Sequence, residues 1–290
     1  MDLFFKKTAI IGVGLLGGSV GLALKAKGMC ERVAGLGRSQ VSVEAALAMG
    51  AIDEAATDMA DAVKGADLIL VCTPVGSVAG IIAEMESLLD DGCIVTDVGS
   101  TKRNIVYAVE KLPRAGSMFV GGHPLAGSER KGVQSASAEL FEGATILITP
   151  TAATEKSVAA NVRAIWERLG GKVVELDPNL HDRIVARTSH LPHIFAALLV
   201  TCLRAMPEEN VRVMGKGFLD TTRIASSDPE MWADICMNNI DEIQDAIFSL
   251  RKNLDEFETC MNEGEYERIM EFFGTAKRMR DSLNSGTSRG

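Results

Sequence analysis

Residues Ile10–Gly21 read IIGVGLLGGSVG, an apolar run punctuated by glycines at positions 12, 14, 17, 18 and 21. Within it, Gly12-Val-Gly14-Leu-Leu-Gly17 has the G-x-G-x-x-G spacing by which a strand turns tightly into a helix. Gly12 permits the turn, Gly14 lets the backbone approach a pyrophosphate, and Gly17 allows close packing of helix on strand. Leu15 and Leu16 then open a helix whose unpaired N–H groups and dipole favour negative charge. The spacing alone is a weak signal. Its context strengthens it, because a candidate strand, Thr8–Gly12, leads in and strand–helix alternation leads out. Lys6-Lys7 before an apolar run also imitates a secretory leader. The glycines, the lack of a small-x-small cleavage site and the short length favour strand, turn and helix over a leader or a membrane span.

Working outward, the further candidate strands are Arg32–Leu36, Leu68–Cys72, Ile94–Asp97, Phe119–Gly122, Thr145–Thr149 and Lys172–Glu175, with helical patterns such as Ser42–Met49 and Val78–Leu89 between them. This order predicts an α/β fold, a mainly parallel doubly wound sheet with helices on both faces, over residues 1–178. Thr73-Pro74, after a wholly apolar strand, falls at the edge where such sheets bind ligands. Beyond Asp177-Pro178 no strand pattern occurs, so residues 179–290 read as all-helical, with breaks near Pro207, Gly215-Lys-Gly217 and Asp228-Pro229. Ile240, Ile243, Ile247, Leu250, Leu254, Phe257 and Met261 alternate spacings of three and four. That is a heptad seam of about three heptads, on a helix of ~30 residues or ~45 Å. It fits an intrachain core helix or a subunit interface, and its length favours a homodimer. The tail after Arg280 reads as disordered.

The net charge of −9 over 290 residues argues against nucleic acid or an anionic membrane as partner. If the substrate is an anion, the chain has to gather cations into one site. Six cysteines are scattered with no C-x-x-C pair, and Cys72, Cys93 and Cys202 sit in apolar runs typical of buried, reduced thiols. A cytoplasmic protein without a disulfide framework is the expectation.

The expected cofactor is NAD or NADP. About twenty residues past the last motif glycine, where an acid usually takes the ribose 2′-hydroxyl, stands Gly37-Arg38-Ser39. Arg38 and Ser39 suit a 2′-phosphate and tilt the choice slightly to NADP; the plainer alternative is a solvated arginine stacked on adenine. Of four histidines, His123 lies in Gly121-Gly-His-Pro-Leu-Ala-Gly127 at a strand's carboxyl edge, where titratable groups gather in active sites. An ordinary histidine there would titrate near ~6.5. His190 and His193 share one helix face in Ser189-His-Leu-Pro-His193, and no third metal ligand is evident. His181 reads as a helix-start residue.

Gly12–Gly17, Asp97-Val-Gly-Ser-Thr-Lys102, Gly122-His-Pro-Leu-Ala-Gly127-Ser-Glu129, Ser189–His193 and Thr222-Arg-Ile-Ala225 followed by Trp232 occur in this order. Together they resemble the prephenate dehydrogenases of tyrosine biosynthesis, with the arogenate and cyclohexadienyl dehydrogenases, over residues 8 to 280. The resemblance implies a Rossmann domain joined to a helical dimerisation domain, and prephenate or arogenate as substrate. It implies that His123 is the catalytic histidine bonding the ring C4 hydroxyl, with Ser100 helping to orient that hydroxyl and the nicotinamide. It further implies that Arg223 grips the ring carboxylate, that His193 and His190 contact the substrate, that Glu129 gates or tunes the site, and that Trp232 reaches the site from its own or the partner subunit. Lys216, between Gly215 and Gly217, departs from the all-glycine family loop.

A β-hydroxyacid dehydrogenase or imine reductase would leave the His123, His190/His193 and Arg223 segments without a purpose. A non-catalytic NAD(P) sensor would need neither Ser100 nor His123 at the cofactor edge. With the fingerprint near residue 1 and helices reaching the end, a monofunctional dehydrogenase is expected.

Overall fold

The computed structural model describes residues 4–127, 132–207 and 213–287. Its first half is β1 (Phe5–Ile11), α1 (Leu15–Ala26), β2 (Cys30–Leu36), α2 (Gln40–Ala48), β3 (Glu54–Ala55), α3 (Met59–Val63), β4 (Leu68–Val71) and α4 (Val75–Met85). There follow β5 (Ile94–Asp97), α5 (Arg103–Val109), α6 (Ala115–Met118), β6 (Phe119–Pro124), β7 (Thr145–Thr149), α7 (Lys156–Arg168) and β8 (Lys172–Glu175). The strands form one sheet in the order β3-β2-β1-β4-β5-β6-β7-β8. All neighbours are parallel except β6 and β7, which run antiparallel with His123 opposite Leu147. The chain order reverses between β1 and β4, the switch point at which such sheets take ligands.

Burial on both faces explains the apolar strands. Ile10, Leu68 and Leu70 point into one apolar cluster, with Val20, Leu24 and Trp166. Ala9, Ile11, Ile69 and Val71 point into the other, with Ile82 and Val106. A strand covered on both sides cannot alternate apolar with polar residues. The two-residue β3 escaped the sequence pattern because both its residues are exposed.

From Pro178 the chain is helical. α8 (Pro178–Val185), a π-turn (Ala186–His190), α9 (Leu191–Cys202) and a 3-10 turn make one run, Pro178–Ala205, long and apolar enough by length and composition to cross a membrane. Its first half instead buries His181, Asp182 and His190 within the protein. Asp177 caps α8, its carboxylate accepting from the Asn179 and Leu180 N–H groups, and Pro178 supplies the helix-compatible φ. The expected break at Gly215 is the cap of a helix over Lys216–Thr222, and Asp228 caps Pro229–Asn238.

By packing, the chain divides into Met1–Ile240 and Asp241–Gly290. The second unit holds the rest of the helix Ile240–Asn262 and the helix Tyr266–Thr287. The seam helix is shorter than expected, 23 residues or about 34 Å. Gly264, at φ +68°, ends it, with the Glu265 N–H closing back on the Cys260 carbonyl at 2.9 Å. The expected disordered tail is helical as far as Thr287, supported by the i,i+4 pair Lys277–Asp281 and by Ser282 donating to the Met279 carbonyl. Cys202 is exposed rather than buried, because α9 turns it outward from the packed face that holds Ala196. All six cysteines are free thiols.

Candidate active site

The glycine turn has the shape its spacing predicts. Gly12 sits at φ +103°, and a Cβ there would lie 2.5 Å from the Cys72 carbonyl oxygen. A Cβ on Gly17 would lie 2.1 Å from the Gly12 oxygen, so the start of α1 is pressed against the turn. A Cβ on Gly14 would meet nothing within 4 Å. Packing therefore does not require that glycine, whereas a pyrophosphate laid on the α1 N-terminus does. Leu15 and Leu16 are half-buried in the first turn of α1. Thr73 follows β4 with its hydroxyl accepting from Ser77 at 3.0 Å, and Pro74 caps α4. At the end of β2, Arg38 and Ser39 are exposed, and Ser39 starts α2. These residues line the carboxyl edge of β1, β2 and β4, and they fit a dinucleotide.

The next strands carry the buried titratable side chains. Asp97, the last residue of β5, is fully buried. Its carboxylate accepts from the Gly99 N–H at 2.8 Å, from the Gly122 N–H at 3.0 Å and from the equally buried Lys102 ammonium. It thereby staples the turn carrying Ser100 to β6, which carries His123. Ser100 is half-buried in the turn after β5. Burial pushes the Lys102 ammonium down in pKa, against the pull of Asp97.

β6 runs two residues further than expected and places His123 inside the strand, 8% exposed. Its Nδ1 lies 2.9 Å from Nε2 of His181. The other His181 nitrogen, Nδ1, lies 2.7 Å from Asp182 Oδ1. Asp182 accepts in addition from the Lys102 and Arg103 N–H groups at 2.7 and 3.0 Å, capping α5. The Asn239 amide donates to the Asp182 carbonyl at 2.9 Å and lies 3.2 Å from His190 Nδ1. Burial, reinforced by His181, Lys102 and His190, holds His123 well below the ordinary histidine value. The expectation near 6.5 is thereby corrected downward. Burial also lowers His181, against the neighbouring Asp182, and brings His190 down to about 4.

His190 is buried in the π-turn, and His193, one turn into α9, is half-buried. The His193 ring stacks on Trp232, with centroids 3.9 Å apart and planes 26° apart, and His190 meets the same indole edge-on at 6.0 Å. His190 Nε2 and Trp232 Nε1 are buried without a hydrogen-bond partner among the described residues, which suits a polar ligand against this wall. Arg223 opens an exposed 3-10 turn packed on α9. Glu129 lies outside the described residues. Lys216, the departure from the family loop, is exposed at a helix start where neither flanking glycine is pressed by a neighbour.

Sequence reading therefore singled out His123 and missed what holds it. His181 is a buried contact of His123, not merely a helix-start residue, and Asp182, Lys102 and Asn239 were given no role. The one available signal was an adjacent His-Asp pair in the first turn or so of a proline-started helix.

Comparison with known proteins is consistent along the chain. Residues 20–175 match the family model described as prephenate dehydrogenase, nucleotide-binding domain, and residues 177–275 match prephenate dehydrogenase, dimerization domain. A prephenate dehydrogenase of Bacillus subtilis is 37% identical over 94% of this chain and 75% of its own. A cyclohexadienyl dehydrogenase of Zymomonas mobilis is 31% identical over 97% of each. Among solved structures, prephenate dehydrogenase from A. aeolicus in complex with hydroxyphenyl propionate and NAD+ superposes with a TM-score of 0.91. It is 34% identical, over 98% of this chain and 100% of that one.

Proposed function

Since the chain belongs to the prephenate dehydrogenase family of NAD-dependent oxidoreductases in tyrosine biosynthesis, we propose that it oxidatively decarboxylates prephenate with His123 as the base. The bound dinucleotide supplies the hydride acceptor. His123, its Nδ1 engaged by His181, offers Nε2 to the C4 hydroxyl proton. The substrate loses hydride from C4, the hydroxyl proton to His123 and its ring carboxylate as CO2, and the phenolate so formed takes the proton back from His123 to give 4-hydroxyphenylpyruvate. Aromatisation makes the step effectively irreversible. Ser100 orients the hydroxyl, Arg223 holds the ring carboxylate, and His193, His190 and Trp232 form the polar wall. The observation that carries this reading is a buried imidazole, its pKa pushed down by that burial, at the carboxyl edge of the sheet that bears the dinucleotide turn. Our reading of a boundary at residue 178 between the nucleotide half and the helical half is supported by family matches over residues 20–175 and 177–275.

The direct test is reduced-nicotinamide absorbance on mixing protein with NAD+ or NADP+ and with prephenate or arogenate. A rise with prephenate is expected, and no rise in any combination would overturn the reading. The Zymomonas relative's name favours testing arogenate, which would give tyrosine. Arg223→Ala should raise KM for prephenate by roughly 10-fold or more, the scale of a lost charge-assisted hydrogen bond, with dinucleotide affinity unchanged. Weakened dinucleotide binding in that variant would make Arg223 a structural residue.

Use of NAD follows from the family, and acceptance of NADP is our reading of Arg38 and Ser39. Exposed at the end of β2 without a carboxylate in the segment, they suit a 2′-phosphate. Arg38→Ala should weaken NADP by about 1.5–3 kcal/mol and NAD by much less. Equal losses in a binding titration would remove the argument.

A homodimer built through the helical half is supported by apolar surface that one chain leaves exposed. On α9 these are Phe195, Leu198 and Val200; on the seam helix, Leu254 and Met261 are each 52% exposed. Exposed apolar area of this kind marks an interface. Light scattering at micromolar concentration should give twice the chain mass, and Ile247→Lys with Leu250→Lys should reduce it to one chain. Cytoplasmic residence is supported by the six free thiols.

A further inference from the structure

Asp182 is anchored. Its carboxylate accepts two backbone N–H groups at the start of α5, where the helix dipole also favours the anion. An ionised carboxylate only accepts, so the 2.7 Å contact with His181 Nδ1 is a donation from that nitrogen. A neutral His181 then has no proton on Nε2, and the 2.9 Å contact with His123 is a donation from His123 Nδ1. The proton of His123 is thus on Nδ1, and its lone pair is on Nε2.

We propose that Asp182 and His181 are positioning residues that fix the tautomer of His123 through this Asp182–His181–His123 chain, so that Nε2 always faces the substrate as the base. The inference rests on His123 being the base, as argued above. Without the chain, His123 is free to carry its proton on Nε2, where it cannot accept the substrate's. The chain also has one way to fail. A proton gained by His181 makes both its nitrogens donors, forcing His123 Nδ1 to accept and Nε2 to carry the hydrogen. The groups around the pair oppose that: His123 faces Lys102 and His190 as well as His181, and His181 faces Lys102, with Asp182 and Asp97 pulling the other way. Burial, the largest cause for both rings, therefore keeps the pair neutral, with Lys102 adding to it.

The test is nitrogen NMR of the histidines in full-length protein bound to NAD+, above pH 7, with kinetics on His181→Leu and His181→Gln. In the wild type, His123 should show a protonated Nδ1 and a bare Nε2. His181→Leu, which removes the acceptor, should shift His123 toward the Nε2-protonated form and lower kcat by about a hundredfold or more, with KM and NAD+ affinity within about threefold. His181→Gln, whose amide oxygen can accept from Nδ1, should recover at least tenfold of the loss. A merely structural His181 would leave the tautomer unmoved. An Nε2-protonated His123 in the wild type overturns the proposal whether or not the variants fold. So does wild-type turnover in His181→Leu. The NMR reading is independent of turnover, so the wild type's failure to oxidise prephenate would count against the function above and not against the tautomer.

Discussion

His123→Asn should lower kcat by roughly 10²–10⁴ while leaving KM and dinucleotide affinity little changed. Asparagine keeps a hydrogen bond near His181 but cannot take a proton. Because burial is the largest cause lowering the His123 pKa, the wild-type acid limb of kcat/KM should lie below pH 6.5, and the enzyme should stay active in mildly acidic buffer. The limb should vanish in the variant. A pH–rate profile of both proteins decides the matter, and near-normal turnover by His123→Asn would move the base elsewhere.

The second large effect is on stability. His123, His181 and His190 are all buried, and burial lowers all three. Below about pH 6.5 the unfolded chain binds protons that the folded chain refuses, so stability falls with pH until the folded values are reached. Each such group costs about 1.4 kcal/mol per pH unit in that window. His123 and His190 alone then give about 3 kcal/mol per unit, near the folded value of about 4 for His190 at its lower end. Urea titrations at pH 7.5, 6.5 and 5.5, at one protein concentration, should show the midpoint dropping steeply over the last step. A flat response would mean that the buried histidines protonate without unfolding the chain.

Local signals carried most of the sheet. The strands at Ile94–Asp97, Thr145–Thr149 and Lys172–Glu175 were legible residue for residue, the first two because both their faces are buried, and the exposed edge strand because its β-branched pair Val173-Val174 follows a glycine turn. Gly12 and Gly17 were legible because each answers a constraint set by its own neighbours, whereas Gly14 answers to the spacing of a phosphate-binding turn. His123 was legible from its glycine frame. The support behind it was not. His181 meets His123 across 58 residues, and Asp182 reaches Lys102 across 80. No spacing rule links positions so far apart, and a histidine near a helix start looks the same whether it faces solvent or another imidazole. The helical tail misled for the opposite reason: Asn284-Ser-Gly has turn composition, yet the preceding helix carries through it.

The distance between His123 and its supports has a consequence for synthesis. The sheet is built from residues that leave the ribosome first, ending at Glu175, whereas the groups that bracket Asp182 include Asn239. At about 5–20 residues per second, several seconds of elongation separate the two. Through that interval the nascent chain has its dinucleotide turn but not the full support of the imidazole proposed above as the base. Competence thus arrives late and from the carboxyl side, so a chain cut short in its helical half would be inert rather than poorly controlled.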